Sequence, residues 1–496
     1  MSIQSINPAT GELLRSFEPL GDEPLKGKIA VAYAAFQAYS EIPLEHRALC
    51  MRKLAGILEH EIEELATLLT QEVGKTIESS RQEIRKCAAG CRYYAENAAR
   101  ILSDEPIPTD LNNSFVRWDP LGVILAVMPW NFPFWQVFRF VSPALMAGNV
   151  VLLKHSSNVP QSAIAIEALV RRAGFPRGTF QTLLIESRQV ESVLSDERVA
   201  AVTVTGSEAA GRAVAAQAGW LIKRSVLELG GSDPFIVMPS ADLDRAIETG
   251  IKARSINNGQ SCIAAKRFII HQDIYDEFES RFVEGMEALK VGDPMKEATD
   301  IGPLATAKLV EDLELQVQAA TAAGGRILCG GERMVGVGNF FEPTVIAGVP
   351  RNTAVYREEI FGPVAMLFKA ASVAEAIEIA NDTPYGLGAS VWSRDPDEQK
   401  QMISSLACGQ VFVNAMVASD PRLPFGGIKH SGYGRELSGA GMREFLNAKT
   451  VVIAGSVEQT EIPFGPQEPE EPNLNVVKFD SGRFKSAFRT ALKDGE

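Results

Sequence analysis

One of the six cysteines stands where a thiol can be held ready for chemistry. Asn257-Asn258-Gly259-Gln260-Ser261-Cys262 is a polar, glycine-containing turn between a helical stretch and the strand-like run 267–270, and reactive groups are commonly carried on loops braced by rigid elements. Cys262 is therefore a candidate nucleophile, although any cysteine taken alone can equally be an inert buried thiol. Cys50, Cys87, Cys91, Cys329 and Cys408 keep that inert reading. Cys87 and Cys91 lie one helical turn apart, but two further ligands at metal-binding spacing are missing, so no metal is expected. Leu227-Glu228-Leu229-Gly230-Gly231 sets Glu228 in apolar company. Burial raises a carboxyl toward the range useful to a general base; a structural ion pair is the other reading.

Pro129-Trp130-Asn131-Phe132-Pro133 is pinned by two prolines, and an amide held so rigidly can aim N–H groups at a developing oxyanion. Asn131 in an ordinary turn is the alternative. Thr205-Gly206-Ser207-Glu208-Ala209-Ala210-Gly211 joins a strand-like run to a helix, the context in which a helix N-terminus takes a phosphate. It is not G-x-G-x-x-G and is weak by itself. Arg139 is the only charge in 132–145. If that stretch is helical, Arg139 lies about two turns along the face of Asn131 and can bind a carboxylate in bidentate fashion or answer an acidic partner elsewhere. Ser419, in Ser419-Asp420-Pro421-Arg422, is a second polar candidate.

The elements that must position these residues can be read from periodicity. Apolar residues recur at three and four over 24–40, 44–74 and 77–101, which predicts helices. Short apolar runs at 123–128, 149–154, 181–185 and 200–205 alternate with helical stretches, as do 235–238, 267–270 and 326–328. Such alternation predicts an α/β fold with parallel sheets. The expected organisation is 1–227 as a cofactor-binding domain, interrupted by a strand near 112–120, and 228–429 as a catalytic domain carrying Cys262. A return segment, 430–457, and a C-terminal tail, 458–496, follow. Runs 115–119 and 449–453 belong to neither pattern and are expected to pair with each other or with another subunit.

A chain of 496 residues is too long for one simple core. Its 46% apolar and 22% charged residues are ordinary for a globular protein, which excludes disorder. No apolar stretch approaches the roughly 18 residues of a membrane span. A net charge of -13 argues against nucleic acid or an anionic membrane as partner. Six cysteines without a C-x-x-C pair fit a reducing compartment, and a cytoplasmic location is expected.

Together these motifs resemble the aldehyde dehydrogenase superfamily over nearly the whole chain, from Ile6-Asn7-Pro8-Ala9-Thr10-Gly11 to about residue 453. The match rests on 129–133, Lys154, 206–211, 227–231 with 259–262, and Glu359-Ile360-Phe361-Gly362-Pro363 in one order. The resemblance implies a two-domain α/β fold with a small β oligomerisation element. It also implies Cys262 as nucleophile, Glu228 as general base, and Asn131 with the Cys262 N–H as oxyanion hole. The aldehyde then becomes a thioester, with hydride passing to a nicotinamide cofactor, and water releases the acid. By the same resemblance Trp130, Lys154, Ser156, Ser157, Gly206, Ser207, Gly211, Leu229, Glu359 and Phe361 bind the cofactor. NAD-preferring relatives carry Glu at the position of Ser157, so its absence implies NADP preference with residual NAD use.

Trp130, Phe132, Trp135, the Arg139 region and the loop 416–422 resemble bacterial succinic semialdehyde dehydrogenases, most of all the cyanobacterial type. That implies succinic semialdehyde as substrate, held by Arg139, Ser419 and Trp135, with glutaric semialdehyde or an uncharged aldehyde as the alternative, and a homodimer or homotetramer. Ala264 stands where some relatives carry a second cysteine, so no disulfide switch protects Cys262. An acylating enzyme ending on coenzyme A has no use for Glu228. A cysteine hydrolase needs a histidine partner that His46, His60, His155, His271 and His430 do not signal.

Overall fold

The computed structural model describes residues 3–111 and 113–454. The chain divides into two units, 1–107 with 114–451, and 108–113 with 452–496. In the second, only 108–111, 113 and 452–454 are described, and they carry the ends of two strands; the expected tail 458–496 lies outside the described residues.

Two sheets organise the first unit. A six-stranded sheet runs in the order Gly432–Tyr433, Arg224–Glu228, Val199–Thr205, Val123–Met128, Val150–His155, Phe180–Thr182. All neighbours are parallel except the first pair. Val150–His155 is buried at every position, as expected of a parallel strand covered on both faces. A seven-stranded sheet runs in the order Arg326–Cys329, Thr344–Ala347, Val364–Ala370, Arg267–His271, Pro234–Val237, Gly388–Trp392, Gln410–Val413. Its edge strand Arg326–Cys329 is antiparallel to its neighbour, which departs from the uniformly parallel expectation. Phe235 and Val237 feed one core of this sheet and Ile236 the other, so helices cover both faces.

The chain leaves the first sheet at Glu228, enters the second at Pro234 and returns at Gly432–Tyr433. Strands Leu446–Ile453 and Asn113–Pro120 neighbour each other in a separate three-stranded sheet with Glu105–Pro106.

Helices hold the site from one side. Ile77–Ile101 begins at Thr76, whose side chain caps Ser79 N, and buries Ile84, Cys87, Cys91, Tyr94 and Ala98 at helical spacing. The single helix expected over 44–74 is two, Leu44–His60 and Ile62–Val73. Both pack on Ile77–Ile101, and Glu61 (φ −102°, ψ 21°) breaks the run where each turns its own apolar stripe toward that helix. No Pro or Gly marks the break. Trp135–Ala147 is buried along its whole length, and it starts only at Trp135. Asn131 therefore precedes the helix, and the expected shared face with Arg139 does not exist.

Candidate active site

Cys262 follows a backbone turn that few residues tolerate. Asn257, Asn258 and Gly259 have φ of 53°, 57° and 76°, the left-handed region that Gly enters without penalty and Asn more readily than other side chains. A Cβ on Gly259 would meet the Gly362 carbonyl oxygen at 2.2 Å, so only glycine fits. The turn is then tied down by its own side chains. Asn257 Nδ2 donates to Asn131 O at 2.7 Å, and Asn258 Nδ2 donates to Gly74 O at 3.0 Å. Lys266 Nζ donates to the carbonyls of Ser261, Cys262 and Ala264 at 2.9, 2.8 and 3.1 Å. The half-buried thiol is pushed up to about 12 by burial, against the pull of Arg139 and Lys266. Burial thus favours the thiol over the thiolate.

Asn131 is fixed from both ends. One side-chain N–H goes to Gln260 O at 3.1 Å, which leaves the amide's second N–H for another acceptor. Its carbonyl accepts from Asn257 and, at 3.2 Å, from Lys75 Nζ. Lys75 is ion-paired with Glu83, both side chains at most 1% exposed. Glu83 Oε1 accepts from the backbone N–H groups of Phe134 and Trp135 at 2.8 and 2.9 Å, an anion at a helix N-terminus. His155 Nε2, held at 2.9 Å from Pro133 O, pins the other side of the loop. Lys75 and Glu83 went unnoticed in the sequence, where nothing local distinguishes them from surface charges.

Glu228 ends its strand buried, and neither carboxylate oxygen has a hydrogen-bond partner among the described residues. Burial pushes it well above the usual carboxylate range; nearby Arg139 opposes this and nearby Glu436 adds to it. A buried acid with no hydrogen bond to its oxygens is costly as structure.

Two cavities share Cys262 and Gln136. The first, about 210 Å³, is lined by Trp130, Asn131, Gly206, Ser207, Glu228, Leu229, Glu359 and Phe361. Glu359 accepts from Gly231 N at 3.0 Å and lies 3.5 Å from Lys266; Trp130 packs edge-on to Phe361 at 5.8 Å. Ser207 caps the helix Glu208–Trp220. Gly211 packs on Leu229, which a Cβ would strike at 2.6 Å. Lys154, Ser156, Ser157 and Gly211 do not line this cavity; Lys154 is in the strand Val150–His155, and Ser156 and Ser157 directly follow its last residue. Lys154 is 8% exposed, its ammonium pushed down by burial alone, without an ion-pair partner among the described residues.

The second cavity, about 160 Å³, is lined by Glu83, Lys86, Phe132, Trp135, Arg139, Ser419 and Phe425. Arg139 reaches it, yet its guanidinium is ion-paired with buried Glu436, stacked 4.5 Å over Phe425 and 3.3 Å from Thr205 Oγ1. Sequence reasoning missed Lys86, Gln136 and Phe425. For Lys86 the one available signal was its place beside Cys87 on the buried face of a long helix.

A thiol flanked by an amide and a buried carboxyl, between two cavities on a two-sheet α/β frame, defines a cysteine-centred enzyme site. The aldehyde dehydrogenase family model matches residues 1–451, and the chain belongs to that family. It is 54% identical over 460 residues to a succinate-semialdehyde dehydrogenase [NADP(+)] of Mycobacterium avium (strain 104), covering 92% of this chain and 98% of the relative. The enzyme of the same name from Mycobacterium leprae (strain TN) is 55% identical over 457 residues, 92% and 100% of the two chains. The crystal structure of succinic semialdehyde dehydrogenase from Streptococcus pyogenes in complex with NADP+ superimposes with a TM-score of 0.90 at 38% identity, over 91% of this chain and all of that one.

Proposed function

We propose that this enzyme oxidises succinic semialdehyde to succinate through a thioester on Cys262, with NADP as the preferred cofactor. The observation that carries the reading is the position of Cys262, at the junction of two cavities of different chemistry. One has polar residues in its lining and the size of a short aldehyde; the other gathers Trp130, Gly206, Ser207, Leu229, Glu359 and Phe361, six of the ten residues matching the family's cofactor motifs.

The residues fit NADP. Lys154 is a buried cation with no ion partner, which a 2′-phosphate would answer, and exposed Ser157 brings no carboxylate to repel it. Trp130, Gly206, Ser207, Leu229, Glu359 and Phe361 would hold the nicotinamide half, with Lys154, Ser156 and Ser157 toward the 2′-phosphate and Gly211 keeping its helix against Leu229. The cofactor supplies the hydride acceptor. Cys262 Sγ gives its proton to the Glu228 carboxylate in the same cavity, which passes it to solvent, as the sulfur bonds to the aldehyde carbon, and the carbonyl oxygen takes the charge opposite the Asn131 amide and the Cys262 N–H. After hydride loss from that carbon the thioester remains. Glu228 then takes a proton from water, whose oxygen bonds to the acyl carbon as the C–S bond breaks. Ser419 and Trp135, with Arg139 near them, face the substrate's far end.

We also propose a homodimer or homotetramer, for which Trp220 and Ile222, 87% and 95% exposed, are large apolar side chains that a subunit contact would cover. All six cysteines are free, which supports a reducing, cytoplasmic setting.

The test is an aldehyde panel of succinic semialdehyde, glutaric semialdehyde and butanal with NADP and NAD, without coenzyme A. The reading fails if butanal equals succinic semialdehyde in kcat/KM, if NAD is preferred tenfold or more, or if Cys262→Ala retains turnover.

A further inference from the structure

The second cavity holds a cation, Lys86, with no ion-pair partner among the described residues. Lys86 Nζ donates to Ser419 Oγ at 2.7 Å and lies 4.6 Å over the Trp135 ring, and the indole Nε1–H of Trp135 donates to the same Ser419 oxygen at 3.0 Å. With both acceptor positions of the hydroxyl taken, its own hydrogen is the one donor left, and no described residue receives it.

The charged groups around Lys86 are all otherwise engaged. Glu83, on the same helix, is bound to Lys75 and to two backbone N–H groups. Asp420 accepts from Arg422 through both oxygens, at 2.8 and 2.6 Å. Arg139, from the helix behind, is answered by Glu436 and repels Lys86. Cys87, the next residue, is a buried thiol held far above its usual range by burial. An ammonium and a hydroxyl with a donor to spare, side by side in a pocket that Cys262 also lines, make a receptor for the anionic end of a short aldehyde.

Resting on the proposed succinic semialdehyde reading, we infer that Lys86, together with the Ser419 hydroxyl, binds the substrate carboxylate and decides the preference for acidic aldehydes, a role the resemblance had implied for Arg139 with Ser419. Burial, reinforced by Arg139, pushes the ammonium down to about 8, so its charge is lost just above neutrality, whereas an arginine would keep it.

The experiment compares kcat/KM for succinic semialdehyde and butanal as a ratio, from pH 6.5 to 9.5, in wild type, Lys86→Met and Lys86→Arg. Effects on Cys262, Glu228 or folding move both substrates and cancel in the ratio. In wild type the ratio falls above pH about 8. In Lys86→Met it is lower by about tenfold to a hundredfold, the range a charge-assisted hydrogen bond carries, and no longer varies with pH. In Lys86→Arg, which keeps a cation there, the ratio stays above that of Lys86→Met and its fall above pH 8 disappears. A ratio within twofold of wild type in Lys86→Met, or a flat wild-type profile, overturns the inference. A wild-type ratio near one at pH 7 instead overturns the substrate reading itself, before any variant is made.

Discussion

Replacing Lys75 with Met separates two tasks that one buried ion pair performs. Lys75 and Glu83 are at most 1% exposed, and the Lys75 ammonium also donates to Asn131 O at 3.2 Å and sits 4.0 Å over the Phe132 ring. Removing one partner of such a pair strands the other charge, at a cost of about 3–5 kcal/mol. Glu83 keeps its two backbone N–H donors, which places the expected loss at the lower end, about 3 kcal/mol, by that same range. Asn131 keeps its tethers to Asn257 at 2.7 Å and to Gln260 at 3.1 Å and loses the one to Lys75. Complete loss of an oxyanion donor costs about 10² to 10³ in kcat, and losing one tether of three makes at most about tenfold the expected loss. The assay pairs thermal unfolding with kcat. Lys75→Met lowers the midpoint by several degrees and kcat by up to about tenfold. Lys75→Met/Glu83→Gln removes the stranded charge while Gln still accepts from the helix N–H groups, so it recovers most of the stability and none of the kcat. A double variant less stable than Lys75→Met, or one with wild-type turnover, would refute the reasoning.

Two further predictions concern titration. Because burial holds the Cys262 thiol near 12 in the protein without ligands, its alkylation by iodoacetamide rises about tenfold per pH unit from pH 7 to 10, measured by mass spectrometry; a plateau below pH 9 rules this out. Glu228 has a folded-state pKa well above its unfolded value of about 4.5. The fold favours its protonated form, so this stabilising contribution is present at low pH and is lost as pH rises from the unfolded toward the folded pKa. Glu228→Gln does not titrate, so its melting temperature minus that of wild type grows from pH 5 to 8, while turnover is lost. A constant difference over that range contradicts the burial argument.

The two parallel sheets were legible because strands covered on both faces read as unbroken apolar runs, as in Val123–Met128 and Val150–His155. The turns that carry Cys262, Asn131 and Glu228 were legible because each is a short contiguous motif whose Gly, Pro or Asn residues report the local backbone. Asn257 to Gly259 at positive φ is the clearest instance. The break at Glu61 was not legible, since it arises from packing on Ile77–Ile101 and leaves no mark in local propensity.

What the linear chain determined, then, is local: which turn can carry a thiol, which strand end carries an acid, which apolar runs become buried strands. What only the tertiary structure decided is which charges meet. Arg139 reads the same whether its partner is a substrate or Glu436, and Lys86 and Ser419 stand 333 residues apart before folding joins them. A charge in a sequence declares its sign, but whether it is neutralised depends on neighbours that the fold alone brings within a few ångströms, where burial strengthens the interaction.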